Sequence, residues 1–191
     1  MFRSILLIAL LCTLSLEASA VVIWDESVNG DLSNSPFAPT PLVFGIGDNT
    51  VTGTIGGLLQ QGGDQFDRFT FSVAVGFLWT GLFVDNYVTS GGNPTTGFEA
   101  YTGNVIDFDG SLGTALGPTF PINVSHIGMD ILGNFGGPFG SGFYTVGLRE
   151  NNPGQQYSLT FQISAVPEPG TLTLLGIGLA GMGLVRRRKK I

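Results

Sequence analysis

The chain has 191 residues with 14 acidic and 8 basic side chains, 30 glycines, 15 phenylalanines, one cysteine and one histidine. One cysteine excludes a disulfide scaffold, and one histidine with one cysteine excludes a zinc site of the usual ligand count. The length suits a single domain of ordinary size.

The basic residues are concentrated at the ends: Arg3, and the cluster Arg186, Arg187, Arg188, Lys189 and Lys190. Residues 21–166 keep only Arg68 and Arg149 against twelve acids, a formal charge of −10. Such a field repels a polyanion, so nucleic acid is excluded as a partner, and cations or neutral polymers such as polysaccharide fit better.

At the N-terminus Arg3 precedes an apolar run, Ile5 to Leu16, and then Ala18-Ser19-Ala20. Small side chains at Ala18 and Ala20 suit a signal peptidase, so residues 1–20 are expected to be a cleaved export signal and the mature chain to begin at Val21. The run is short for a membrane span. Cys12 departs with the signal, and the bulky Leu11 before it argues against a lipoprotein site.

Residues 21–42, with Pro36, Pro39 and Pro41, read as an irregular lead-in, with one edge strand expected at Val21 to Trp24. Residues 43–165 read as one domain with a period of two. Phe69, Phe71 and Val73 alternate with Arg68, Thr70 and Ser72; Tyr144, Val146 and Leu148 alternate with Thr145, Gly147 and Arg149; Tyr157, Leu159, Phe161 and Ile163 alternate with polar neighbours. A thinner example runs from Thr50 to Ile55. Strict alternation marks strands with one face on a core and the other in water. Gly- and Asn-rich turns, such as Gly62-Gly63-Asp64 and Asn151-Asn152-Pro153-Gly154, separate them. The fold expected is all-β, an antiparallel β-sandwich with an aromatic core.

No catalytic residue is assigned. His126 is the only histidine, no G-x-S-x-G turn is present, and the close acid pairs Asp64/Asp67 and Asp107/Asp109 sit beside turn glycines. The same four aspartates are the candidate calcium ligands, because calcium is a hard ion that takes carboxylate and loop carbonyl oxygens. No other cofactor is expected. Trp79, Tyr87 and Tyr101 fall in less regular alternation and are the candidate stacking surfaces for sugar rings.

After the domain comes Val166-Pro167-Glu168-Pro169-Gly170, an uncharged stretch from Thr171 to Val185, and the terminal basic cluster. The two prolines keep the backbone extended and open to a protease cleft. Fifteen helical residues span about 22 Å against the roughly 30 Å of a hydrocarbon layer, which snorkelling arginines and local thinning accommodate. The basic cluster orients such a span with its C-terminus in the cytoplasm and residues 21–166 outside. Gly176 and Ala180 form a small-xxx-small pair available for helix packing.

This order of motif, short apolar span and basic tail resembles the PEP-CTERM sorting signal, here over residues 166–191 with Val166, Pro167, Glu168 and Pro169 as the motif. The resemblance implies recognition and cleavage by a membrane-embedded exosortase in a Gram-negative bacterium, passage through an inner-membrane intermediate, and a destination at the cell surface or in an exopolysaccharide or biofilm matrix. A plain membrane anchor that is never cut is the alternative. A looser resemblance links Gly62 to Val73, Gly140 to Leu148 and Tyr157 to Phe161 to the bacterial pre-peptidase C-terminal domain, which implies a jelly-roll-like, non-catalytic module sometimes associated with calcium or glycan. Two functions follow as expectations: a non-catalytic exported surface protein, or a glycan-binding or weakly hydrolytic module.

Overall fold

The computed structural model describes residues 20–57, 63–89, 95–106, 113–150, 152 and 154–166. Ala18, Asp107, Asp109, the motif from Pro167 onward, the apolar span and the basic cluster lie outside them.

Among the described residues nine strands form two sheets. β1 is Val21–Asp25, β2 Thr40–Pro41, β3 Gly47–Ile55, β4 Phe66–Val73, β5 Phe77–Val88, β6 Thr96–Thr102, β7 Phe120–Ile122, β8 Gly142–Arg149 and β9 Gln155–Ala165. The first sheet has the order β1-β3-β9-β5 and the second β2-β4-β8-β6-β7. One turn of helix, α1 at Glu26–Asn29, follows β1. Among the described residues no helix is long and apolar enough to cross a membrane.

The apolar residues of the alternation fall where their period places them, whereas Arg68 and Thr145, expected in water, are buried on the opposite face of the second sheet. Phe69, Phe71, Val73, Tyr144, Val146, Leu148, Leu159, Phe161 and Ile163 are buried in one core shared by both sheets. Rings from the two sheets meet there: Phe69 and Phe161 stand edge to face at 5.6 Å, and Phe71 meets Trp79 at 5.3 Å. Aromatic pairs in this geometry stabilise beyond the area they bury. The outer face of the first sheet is a hydroxyl ladder, in which Thr50 and Thr160 Oγ1 atoms lie 2.8 Å apart and Thr160 donates to Asp85 at 2.6 Å. The open side of β5 is covered by residues 127–139, through the Ile131 N–H to Leu82 and the reciprocal Trp79 and Phe139 bonds. That removes an exposed edge on which a second chain could pair.

Two expectations need correction. The central ladders are antiparallel, but β1 pairs with β3 and β2 with β4 in parallel. The lead-in is also part of the fold: it supplies one edge strand to each sheet, and Leu32 is as buried as the central core. Its prolines hid this. Pro41 sits in a two-residue edge strand, where a missing N–H costs little.

Both faces and both ends of the sandwich are distinct. β3, β5 and β9 set one end at Gly47, Phe77 and Ala165 and the opposite end at Ile55, Val88 and Gln155. β4 and β8 follow the same division, Val73 and Gly142 at the first end, Phe66 and Arg149 at the second.

Candidate metal centre and sorting segment

The second end carries the cluster. β1 ends on Asp25, whose Oδ1 caps α1 by accepting from the Ser27 N–H at 2.9 Å. That single turn carries Glu26 back over β3, where Oε2 accepts from the Thr54 N–H at 2.7 Å and Oε1 from the Leu32 N–H at 3.1 Å. Gly30, at φ 88°, then turns the chain into Asp31. Asp64 is held by reciprocal backbone bonds to Gly56. Asp67 stands on β4 in phase with Phe69, Phe71 and Val73, so its side chain points inward, and it is 0% exposed.

Glu26, Asp31, Asp64 and Asp67 each bring one carboxylate oxygen within 4.8 Å of the others. A second observation separates this group from an ordinary acidic surface. Both oxygens of Asp67, Oδ1 of Asp64 and the Tyr157 hydroxyl are buried without a hydrogen-bond partner. An unpaired buried carboxylate is among the costliest groups a fold can hold.

The ionisation behaviour follows. Burial, then the charges of Glu26 and Asp64, push Asp67 up to about 9; the Tyr157 hydroxyl works the other way, though it makes no bond of normal geometry. Burial, then Asp31 and Glu26, push Asp64 up to about 7. Glu26 is raised by burial, against the lowering effect of the Thr54 and Leu32 N–H groups. Four oxygen donors with no nitrogen or sulfur suit a hard dication, and four carboxylates offer enough oxygens for calcium. The residues therefore fit the ion that the aspartates suggested; bound there, it would supply charge neutralisation and a tie between lead-in, β3 and β4.

Of the candidate ligands, Asp64 and Asp67 come together, while Asp107 and Asp109 lie outside the described residues. Glu26 and Asp31 escaped the sequence reading. The available signal was the group Asp25, Glu26 and Asp31 in a lead-in otherwise poor in charge, and Asp67 in phase with three core residues.

The candidate sugar-stacking residues are not available for stacking. Trp79 is 0% exposed and packs on Phe71, Phe139, Tyr144 and Phe161. Tyr87 is buried with its hydroxyl 2.8 Å from Thr96 Oγ1. Tyr101 lies on the outer face of the second sheet, buried, and donates to Glu99 Oε2 at 3.1 Å. Each bulge in β5 that broke the alternation, at Trp79/Gly81 and Val84/Asn86, restores the inward phase, so irregular alternation did not mean exposure. His126 caps a short turn, its Nδ1 accepting from the Asn123 N–H at 3.3 Å. Beside the cluster lies a groove of about 340 Å³ lined by Asp25, Ser27, Thr52, Asn86, Gln156 and Ser158 among others.

At the other end β9 stops at Ala165, and Val166 is exposed, its N–H donating to the Gly76 carbonyl at 2.9 Å. The folded domain thus finishes where the motif starts. No curated protein matches the chain. Residues 165–189 match the model of the PEP-CTERM protein-sorting motif, so this chain carries that motif, which implies export and sorting to the cell surface by an exosortase.

Proposed function

We propose that this is an exported, non-catalytic component of the cell surface or of an extracellular exopolysaccharide or biofilm matrix, released from its C-terminal segment by exosortase cleavage at Val166 to Pro169. Signal peptidase removes residues 1–20, and the apolar span then holds the chain in the inner membrane of a Gram-negative bacterium, C-terminus inside, until the cut. The observation that carries this is the junction: the matched sorting motif begins where β9 ends, next to an exposed Val166. A protease reaches an extended segment at a domain edge without unfolding the domain.

The domain is read as a jelly-roll, since β9 returns between β3 and β5 while β8 returns between β4 and β6. Calcium at Glu26, Asp31, Asp64 and Asp67 is assigned a structural role, holding the lead-in to the sandwich. A second reading, a glycan-binding module, draws support from the groove beside the cluster, whose hydroxyl, amide and carboxylate groups match the hydroxyls of a neutral sugar.

The test is the intact mass of the protein from envelope and culture fractions of its own host, with and without exosortase activity. A species from Val21 to a terminus within Pro167 to Gly170, lost without the exosortase, is expected. A species from Val21 to Ile191 in both cases would replace sorting with a plain anchor.

A further inference from the structure

The end of the sandwich opposite the carboxylates is apolar and faces outward. Val43 is 86% exposed and Val75 88%, and Ile46, Val21 and Val166 are exposed with them. Four separate stretches of chain bring these five side chains to one end. Val21 opens β1 level with Asn49; Val43 and Ile46 lie on the crossover from β2 to β3; Val75 tips the β4–β5 turn; Val166 follows β9 and bonds Gly76. Single exposed valines need no explanation, but a set gathered at one end does.

What meets that end follows from the chain's continuation. Val166 is joined to Thr171, the first residue of the apolar span, by four residues, a reach of at most about 18 Å fully extended. Before signal peptidase acts, the N-terminal apolar run also reaches the domain at Val21. The segment that ties the processed chain to the membrane leaves from the apolar end, so a tethered domain cannot hold that end far from lipid. Charge agrees with the placement. Glu26, Asp31, Asp64, Asp67 and Glu150 lie at the opposite end, away from anionic headgroups, while Asp48, one step in from the rim, is engaged by the Gln162 amide at 3.2 Å.

We propose that Val21, Val43, Ile46, Val75 and Val166 form a lipid-contacting rim that seats the domain on the outer surface of the membrane while the C-terminal segment holds it there. The proposal rests on the membrane-held intermediate of the preceding subsection. Short aliphatic side chains entering the headgroup boundary gain burial without needing a span. The seat presents the Val166 junction at a fixed height above the bilayer, where a membrane-embedded protease works, and points the carboxylate cluster outward.

The experiment uses the membrane-held form, Val21 to Ile191, which has no cysteine of its own, reconstituted into phosphatidylethanolamine and phosphatidylglycerol vesicles that carry nitroxide-labelled lipid. Val43→Cys and Val75→Cys place a bimane at the rim on exposed turns; Val28→Cys, equally apolar but on α1 at the other end, is the control. The rim labels are expected to lose most of their emission to the nitroxides and the Val28 label to keep its own. Vesicle-bound chains whose rim and control labels respond alike would overturn the seat and leave the tether intact. Chains that fail to float with the vesicles would overturn the tether and the seat together. Quenching that requires added exosortase would assign the rim to that enzyme instead of lipid, and would also overturn the proposal.

Discussion

Gly53 lies directly opposite Tyr157 in the β3–β9 ladder, and the Tyr157 phenol occupies the space that a side chain on Gly53 would need. A Cβ there would stand 2.5 Å from the phenol oxygen and 2.9 Å from Cδ of Glu26. The absence of one methyl group thus lets a core tyrosine and a lead-in glutamate converge beside Asp67.

Gly53→Ala is therefore expected to push both side chains away. Overpacking of this kind costs about 1–3 kcal/mol, and the calcium-induced rise in Tm should shrink with it. Thermal melts with calcium and with EGTA check both parts; an unchanged calcium response would separate Gly53 from the cluster.

Asp67→Asn should act in opposite directions with and without the ion. In EGTA the variant is expected to melt at or above the parent temperature, because a buried unpaired carboxylate has been replaced by a neutral isostere. In calcium it should gain little, having lost a ligand. Terbium luminescence, with the ion standing in for calcium, gives an independent reading of the lost site.

The chelated parent should also lose stability as pH rises. The Asp67 carboxyl is raised to about 9 in the folded chain by burial and its acidic neighbours. Unfolded, it titrates near the ordinary aspartate value of about 4. A raised folded pKa means the unfolded state sheds the proton first, so stability is full below about pH 4 and declines until about pH 9. Asp64, raised to about 7, adds to the slope over the lower part of that window. Melts in EGTA across this range should slope downward for the parent and less steeply for Asp67→Asn, and saturating calcium should flatten the parent's slope while changing the variant's little. A parent slope that matches the variant's would contradict the buried-carboxylate account.

Trp79→Ala is expected to cost stability in the range of about 3–5 kcal/mol, as large aromatic deletions from a packed core do. It should not selectively remove affinity for any polysaccharide. Urea titration measures the first, and glycan-array binding of the folded fraction the second. A stable variant with binding lost would reinstate Trp79 as a contact residue.

The C-terminal sorting motif was legible without coordinates, because a Pro-Glu-Pro motif, a short apolar run and a basic tail act through composition and order along the chain. The core strands were legible for a related reason: a period of two at Phe69, Phe71 and Val73, or at Leu159, Phe161 and Ile163, records which face is buried whatever the strand pairs with. Pairing itself was not. That β1 and β2 add in parallel, or that β9 lies between β3 and β5, depends on contacts between residues far apart in the chain, and alternation is silent about them. The candidate metal centre shows the same division. Asp64 and Asp67 were candidates by residue type, while Glu26 and Asp31 joined them only through the path of the lead-in across the sandwich end. The burial of Trp79 and Tyr87 was likewise decided by bulges in β5, which shift phase within one strand. Local chemistry and periodicity are written into the order of residues, but convergence of distant carboxylates at one end, and of distant valines at the other, exists only once the chain has closed on itself.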